Sequence, residues 1–288
     1  MRDLRLVVAW MAGALVSFSA LAICVRELAG GLTVYEILAL RAFGGIVVLW
    51  VYALIARQPV GLPRPLGLHL LRNVFHFGGQ AGWAFGLTLL PLATVFALEF
   101  TTPAWTMLLA VFFLRETITR GRIAAVVLGF VGVLVILRPG AGTFQPAALL
   151  VLGAAVMFAV QLTTTKFLTG TNSVLTILFW MNVMHLPMYL AANALSGEAV
   201  WFAPKLTTAM APWIGVLCVA GLLAHVCLTN AFRHGDATVV VPVDFLRIPV
   251  ITLVGVALYN EAFDPFVLAG AAISAAGILW SLAEKRTT

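Results

Sequence analysis

Charge is scarce in this sequence. Of its 288 residues, 10% are charged and 62% are hydrophobic, whereas a soluble globular domain is about 25% charged and about 45–50% apolar. This shortage excludes two soluble domains with cores of their own and predicts an all-α integral membrane protein. A net charge of +6 remains, but the basic residues stand singly between apolar runs, so we expect no nucleic-acid partner.

Cysteine and recognisable catalytic motifs are also scarce. The three cysteines, Cys24, Cys218 and Cys227, lie apart within apolar runs, which argues against a disulfide framework and against a zinc site. The sequence contains no Walker A loop, no HExxH or GxSxG motif and no nucleophile beside a base. We therefore expect no enzyme activity, no cofactor and no metal site.

Long hydrophilic connections are missing too. A helix that spans a membrane needs about 20 apolar residues, and ten runs meet this requirement. Their predicted bounds are 5–27, 33–56, 69–90, 93–114, 121–138, 147–168, 174–195, 209–232, 237–259 and 265–283. The longest connection, 196–208, is too short for a soluble module. This disfavours the alternative of a membrane scaffold or receptor that does not transport.

Lysine and arginine are distributed unevenly over the connections. With the N-terminus in the cytoplasm, twelve of them fall in cytoplasmic loops and tails, and Arg26, Arg138 and Lys205 fall in outer loops. Cytoplasmic loops of membrane proteins carry the excess of positive charge. The distribution therefore predicts ten transmembrane helices with both termini in the cytoplasm.

The second half of the chain repeats the first. Pairs at an offset of 140 positions are Gly13–Gly153, Phe18–Phe158 and Arg26–Lys166, and pairs at an offset of 145 are Glu99–Asp244, Glu116–Glu261 and Gly132–Gly277. An odd number of spans in each copy turns the second copy upside down in the membrane, as in many transporters. The sequence therefore predicts two inverted five-helix repeats, residues 1–140 and 141–288.

Polar residues share one face of the third predicted span and of the eighth. His76, Gln80 and Trp83 follow one another at spacings of four and three, which places them on one side of a helix. The eighth span offers a similar row, with Asn230 adjacent to it: His225, Thr229 and Arg233. A polar face in lipid is costly unless it faces a protein-lined or water-filled cavity. These residues therefore predict a central cavity.

The fourth and ninth predicted spans carry charge inside the membrane. Glu99 and Asp244 are partners in the repeat, and Thr102 and Arg247 follow them by three residues. An ionisable side chain at such depth costs about 2.5–3.5 kcal/mol and has a partner or a function. Two interpretations stay open. One is structural pairing, of Asp244 with Arg247 or of Glu99 with Arg41, and the other is a role in substrate or proton handling.

Proline interrupts the same two spans, with Pro103 in the fourth and Pro242 and Pro249 in the ninth. Each proline removes a backbone donor and kinks or loosens its helix. Broken helices at corresponding positions of two halves indicate the binding site of a transporter. We expect Trp105, which follows this break, to form a cavity wall together with Trp83.

Glycine recurs every four residues in the third span, at Gly78, Gly82 and Gly86. Such a ridge lets helix backbones approach closely in lipid. It predicts either plain helix packing or a surface on which the helix slides during the transport cycle.

Two stretches resemble a known family. Residues 93–137 combine Pro103 in the fourth span, Glu116 at its end and Gly132 in a glycine-rich fifth span, and residues 237–282 repeat this pattern. Both are similar to the EamA-type domain of the drug/metabolite transporter superfamily. The resemblance implies ten spans in two inverted repeats around a cavity lined largely by spans three, four, eight and nine, with help from spans one and six. It also implies export of small metabolites, commonly amino acids, from the bacterial cytoplasm.

Together these features predict a multi-pass secondary transporter of the bacterial inner membrane that exports small metabolites by alternating access around a midplane cavity. Aromatic residues such as Phe100 and Phe245, beside few polar anchors, favour an aromatic or large apolar amino acid. The predicted substrate-binding residues are His76, Gln80, Trp83, Glu99, Thr102, Trp105, His225, Asn230, Asp244 and Arg247. The alternative substrate class is drugs or toxic cations. Membrane lipid is the other expected partner, and we expect a monomer, with a dimer as the alternative.

Overall fold

The computed structural model describes residues 4–114, 120–138, 145–234, 244 and 246–284. Every regular element within these ranges is helical, and no β-strand occurs in them. The α-helices, numbered in chain order, are α1 (Leu4–Leu28), α2 (Val34–Ile55), α3 (Leu66–Leu89), α4 (Leu92–Glu99), α5 (Thr102–Leu114), α6 (Arg120–Leu137), α7 (Ala147–Leu168), α8 (Val174–Leu195), α9 (Ala211–His234), α10 (Arg247–Tyr259) and α11 (Pro265–Glu284). The prediction of an all-α fold is confirmed for this part of the chain.

The helix bounds follow the apolar runs of the sequence. Eight of the ten predicted spans coincide with one helix to within three residues at either end. The fourth differs, because it consists of two helices, α4 and α5. The ninth is described as a helix from Arg247 onward, and its earlier part, with Pro242, lies outside the described residues.

The fourth span breaks between α4 and α5 because Pro103 has no backbone N–H to contribute to a continuous helix. The Thr101 hydroxyl donates to the Leu98 carbonyl oxygen at 2.7 Å, and the Thr102 hydroxyl donates to the Glu99 carbonyl oxygen at 2.6 Å. These bonds satisfy carbonyl groups that would otherwise be exposed by the break. Irregular backbone at membrane depth is tolerated under this condition, within protein or beside a cavity.

Several helices have the length and composition of membrane spans. Among the described residues the segments that qualify are Arg5–Leu28, Val34–Ile55, Ala147–Thr165, Val174–Leu195 and Thr208–Leu228. Helix α3 is not among them, since it carries polar side chains such as Arg72, His76 and Gln80, all of them buried. Polar side chains in a membrane helix face the interior of the bundle. The polar side of α3 therefore faces protein.

Four helix pairs form the main contacts of the bundle: α1 with α9, α3 with α7, α2 with α8, and α6 with α11. Small residues permit the close approach. A Cβ on Gly82 of α3 would lie 3.0 Å from the Leu150 carbonyl oxygen of α7, and a Cβ on Gly277 of α11 would lie 3.0 Å from the Ala124 carbonyl oxygen of α6. Packing against α7 accounts for the glycine ridge of α3, and sliding along it stays a prediction.

Helices α2 and α8 begin in the same way. The Thr33 side chain accepts a hydrogen bond from the Glu36 backbone N–H, and the Glu36 side chain accepts one from the Thr33 backbone N–H. The Ser173 side chain likewise accepts from the Thr176 backbone N–H at the start of α8. Thr33 and Ser173 are 140 positions apart, so local structure recurs at the offset seen in the sequence.

An ion pair joins Arg26 of α1 to Glu261, which follows α10, at one end of the bundle. Arg26 also donates to the carbonyl oxygens of Leu87 at 2.9 Å and Leu90 at 2.6 Å. Glu261 accepts from the Leu92 backbone N–H at 3.0 Å. These bonds tie α1 to the α3–α4 connection and to the α10–α11 connection.

Candidate substrate cavity

A cavity of about 210 Å³ lies between α1, α2, α3, α7 and α9, beside the α4–α5 break and the start of α10. Most of the predicted site residues line it: His76, Gln80, Trp83, Glu99, Thr102, His225, Asp244 and Arg247. Apolar walls with a small number of polar groups are typical of sites for small molecules. Whether these residues touch a substrate stays a prediction.

Arg247 joins the two carboxylates of the cavity. Its Nη2 donates to Asp244 Oδ2 at 2.7 Å, and its Nη1 lies 3.6 Å from Glu99 Oε1. Trp83 Nε1 donates to the other oxygen of Glu99 at 2.7 Å. Of the pairings left open by the sequence, Asp244 with Arg247 is therefore present, and Glu99 pairs with Arg247 in place of Arg41.

Aromatic rings surround the Arg247 guanidinium. Its central carbon lies 4.1 Å from the ring centroid of Phe18, 4.8 Å from that of Phe100 and 5.7 Å from that of Phe96. A cation over an aromatic face is attracted by the negative face of the ring. The rings and the two carboxylates together keep a charged side chain in a position that is 4% exposed.

Arg41 of α2 also lines the cavity and is 6% exposed. Its Nε and Nη2 atoms are buried and form no hydrogen bond. No ion pair joins it to an acidic side chain within the described part of the chain. The sequence prediction named Arg41 only as a structural partner of Glu99, and the structure gives it a separate place in the lining.

One lining residue, His76, is part of a histidine pair. His76 stacks on His185 of α8 with ring centroids 5.0 Å apart, and Phe158 of α7 lies against its ring at 5.9 Å. His185 Nε2 is 3.1 Å from the Asn73 carbonyl oxygen. His76 Nδ1 is buried without a hydrogen bond, so a polar atom beside the cavity is left for a ligand or water.

Two predicted site residues lie elsewhere. Trp105 packs edge-on against Phe130 of α6 at 4.9 Å and lines a separate apolar groove. The break before α5 starts a new helix, which presents Trp105 to α6 and α7. Asn230 donates to the Val226 carbonyl oxygen of its own helix at 2.8 Å and is not part of the cavity lining.

Other lining residues were missing from the sequence prediction. Phe18 of α1 and Phe158 of α7 face the cavity together with Gln161 of α7. Phe18 and Phe158 are partners at the repeat offset of 140, and this pairing was the available signal. The signal for Gln161 was its position as a polar residue in the sixth predicted span, which the family resemblance places beside the cavity.

No group of three or more metal-ligating side chains occurs among the residues that the structure describes. The arrangement therefore offers paired charges, aromatic faces and amide and imidazole groups. These are groups that bind an organic molecule and orient it.

Comparison of the sequence with models of protein families shows which class of protein this chain is. The model of the EamA-like transporter family matches residues 5–138 and again residues 145–283. The chain belongs to the EamA-like transporter family. The resemblance seen in the sequence is thereby confirmed, and the chain is a membrane transporter and not an enzyme.

Relatives of this EamA-like chain bear the names of transporters. The S-adenosylmethionine uptake transporter of Rickettsia bellii (strain RML369-C) is 30% identical over 267 residues, which cover 92% of this chain and 89% of the relative. The riboflavin transporter of Brucella anthropi is 30% identical over 228 residues, covering 77% and 78%. The riboflavin transporter of Rhizobium johnstonii is 33% identical over 208 residues, covering 71% and 66%.

A solved crystal structure has the same fold, with a TM-score of 0.69 and 98% of both chains covered. Its sequence is 18% identical to this one, so the likeness concerns the fold alone. The relatives support transport of a small molecule. None of the three named above is called an amino-acid transporter or an efflux protein, so those two parts of the sequence prediction are without support.

Proposed function

We propose that this EamA-like transporter carries a small zwitterionic metabolite with an attached ring, and that S-adenosylmethionine is the first candidate. The observation that carries the proposal is the charge of the cavity lining, where Arg41 and Arg247 stand with Glu99 and Asp244. The head group of an amino acid has one charge of each sign. The cavity lining offers a side chain of opposite charge to each of these two groups.

Aromatic side chains supply the second half of the argument. Phe18, Trp83 and Phe100 line the same cavity as the charged groups. A planar ring gains about 0.5–1.5 kcal/mol from a well-placed aromatic partner beyond its buried area. A sulfonium ion is also attracted by an aromatic face. S-Adenosylmethionine combines an amino-acid head group, a sulfonium ion and an adenine ring, so it matches both kinds of lining.

The relatives favour the same molecule. The S-adenosylmethionine uptake transporter of Rickettsia bellii aligns with 92% of this chain, against 77% for the riboflavin transporter of Brucella anthropi. The sequence prediction named an amino acid as the substrate. S-Adenosylmethionine keeps an amino-acid head group, so that part of the prediction stays within the proposal. Because the relatives that are named for a direction are named for uptake, we propose uptake in place of the predicted export.

Two other substrates fit the cavity less well. Riboflavin, the second candidate because of its named relatives, is uncharged and would leave Arg41 without a partner of opposite charge. A lipophilic cation would leave Arg41 without one. Burying a charge that is neither paired nor hydrogen-bonded is costly, so both alternatives lose binding free energy that a zwitterion gains.

The size of the cavity supports alternating access. Sites for drug-sized ligands measure about 300–1,000 Å³, and the cavity has about 210 Å³. A substrate with an adenine ring requires the bundle to widen on one side. The ion pair of Arg26 and Glu261 ties the helices together at one end, so we expect the opposite end to open.

We also propose ten spans in two inverted repeats, 1–140 and 141–288, with both termini in the cytoplasm of a bacterium and the chain in its inner membrane. The helix contacts support this arrangement. Exchanging the two halves turns the α1–α9 pair into the α7–α3 pair, and it leaves the α2–α8 and α6–α11 pairs unchanged. A two-fold relation between the halves produces this set of contacts.

The test is uptake of radiolabelled S-adenosylmethionine into vesicles that contain the purified protein. We expect uptake above that of protein-free vesicles, inhibited by unlabelled S-adenosylmethionine more strongly than by riboflavin, phenylalanine or a lipophilic cation. Uptake of riboflavin or phenylalanine in its place would assign one of the other substrates. Absence of flux for all four would contradict the proposal.

A further inference from the structure

We propose that Arg41 binds the carboxylate of the substrate, which gives the cavity a positive end at α2 and a negative end at α4 and α10. The inference rests on the proposed function, because it assumes a zwitterion in this cavity. It goes further by naming the side chains that bind each charged group of the substrate. The ammonium group then lies near Glu99 and Asp244.

The first observation is that Arg41 is buried without an acidic partner among the described residues. It is 6% exposed, and its Nε and Nη2 atoms form no hydrogen bond. An uncompensated charge inside a membrane protein is expensive, and it marks a substrate or ion site unless it is paired. Arginine presents several N–H donors in one plane, which match the two oxygens of a carboxylate. The cavity that Arg41 lines is where such an anion would arrive.

The second observation is the distribution of the other charges. Arg247 lies 2.7 Å from Asp244 and 3.6 Å from Glu99, so one cation serves two carboxylates. That end of the cavity has a surplus of one negative charge. Arg41, which lines the same cavity from α2, has no carboxylate partner within the described ranges. A substrate with separated charges therefore has one favourable orientation.

The third observation is that the Arg41 stem is held in place. A Cβ on Gly221 of α9 would lie 3.4 Å from Arg41 Cδ, so the stem fills the contact between α2 and α9. A side chain fixed by packing loses less conformational freedom when it binds a ligand. This position suits recognition better than a mobile surface arginine would.

Arg72 of α3 provides a matched contrast. It is 3% exposed, similar to Arg41. Its Nε donates to Thr165 Oγ1 and its Nη1 donates to Asn73 Oδ1, both at 2.8 Å. It is outside the cavity lining. Burial of an arginine in this protein therefore does not by itself require a ligand. Arg41 differs because its Nε and Nη2 atoms are buried without a hydrogen bond.

The experiment compares S-adenosylmethionine with decarboxylated S-adenosylmethionine, which lacks only the carboxylate. Binding to the purified protein is measured for the wild type, R41Q and the control R72Q. We expect the wild type to prefer the carboxylate-bearing ligand by roughly 10- to 100-fold, as for a hydrogen bond to a charged group. R41Q should lose this preference while its affinity for the decarboxylated ligand stays within about two-fold. R72Q should keep the preference.

An unchanged preference in R41Q would overturn the inference. If R41Q does not fold, R41K decides, because lysine keeps the charge and loses the planar pair of donors. We then expect a preference reduced by about ten-fold relative to the wild type, and an unreduced one would overturn the inference.

A second pair of ligands distinguishes a failure of the Arg41 assignment from a failure of the proposed substrate. If the wild type binds neither adenosyl compound, the proposed substrate is wrong, and acetate and acetamide then test Arg41 directly. A ligand that binds the folded state raises its apparent Tm. Acetate should therefore raise the apparent Tm of the wild type and of R72Q by more than it raises that of R41Q. Acetamide should not distinguish the three proteins. An equal response of R41Q to acetate would overturn the assignment.

Discussion

At the scale of single residues, Arg247 organises the charges of the cavity. It contacts Asp244 one helical turn away in sequence and Glu99 from the other half of the chain. Trp83 adds a hydrogen bond to the same Glu99 carboxylate. The two carboxylates are therefore held together by one cation. Their pairing and a role in binding are compatible, because a substrate ammonium group adds the missing positive charge.

This arrangement predicts unequal effects of Arg247→Gln and Glu99→Gln. Arg247→Gln leaves two carboxylates near each other without a cation, and removal of one partner of a buried pair costs about 3–5 kcal/mol. Glu99→Gln leaves Asp244 and Arg247 as a neutral pair and keeps an oxygen for Trp83, so we expect a loss of about 1 kcal/mol. Thermal unfolding in detergent measures both. Equal losses would show that Arg247 does not serve both carboxylates.

Three charged residues of the site could be predicted from the sequence, whereas two of its aromatic residues, Phe18 and Phe158, were missed. Glu99, Asp244 and Arg247 stand out because an ionisable side chain inside a span is costly. The sequence contains 19 phenylalanines, and such rings face lipid as readily as a cavity. Their type alone therefore does not separate Phe18, which lines the cavity, from an aromatic residue such as Trp105, which does not.

At the scale of helices, close approach depends on positions where only glycine fits. A Cβ on Gly132 of α6 would overlap the Gly270 carbonyl oxygen and the Ser274 hydroxyl of α11. Gly277, the repeat partner of Gly132, meets α6 in turn through Ala124 and Leu128. The α6–α11 contact is therefore built from equivalent small residues of the two halves.

Gly132→Ala should consequently destabilise the protein, whereas Gly153→Ala should not. Overpacking of a close contact costs about 1–3 kcal/mol, and the backbone oxygen of Gly270 cannot turn away from the new methyl group. Gly153 of α7 has open space around the position of a Cβ, so alanine there gains about 0.5–1 kcal/mol of helix propensity. Thermal unfolding compares the two variants. A stabilised Gly132→Ala protein would contradict the close contact.

Most helix bounds could be predicted from the sequence because the apolar runs are long and the connections short. For the fourth span, the sequence predicted only that Pro103 kinks or loosens the helix, and not that two separate helices, α4 and α5, form. Pro103 removes one donor, but the exact end of α4 depends on the Thr101 and Thr102 hydroxyls, which donate to the carbonyl oxygens of Leu98 and Glu99. Such bonds depend on backbone geometry that a single sequence does not specify.

At the scale of the whole molecule, the structure combines one end held by polar bonds with a cavity of limited size. Arg26, Glu261 and the backbone of the α3–α4 connection bond to one another at that end of the bundle. The charged and aromatic residues from both halves meet in the cavity. The helix pairs that exchange when the two halves are swapped offer a way to close the other end in the alternate state. Alternating access is the mechanism that this arrangement supports.

The most direct test of the account is exchange across vesicles that contain the purified protein. In alternating access, the binding site returns to the outer side of the vesicle faster with substrate bound than when it is empty. Unlabelled S-adenosylmethionine inside the vesicles should therefore accelerate entry of the radiolabelled compound several-fold. Vesicles with Arg247→Gln protein, brought to the same folded amount, should show little acceleration. Acceleration in the wild type alone is the predicted result. Entry at the same rate with and without internal substrate, or none above protein-free vesicles, would contradict a substrate-carrying alternating-access transporter.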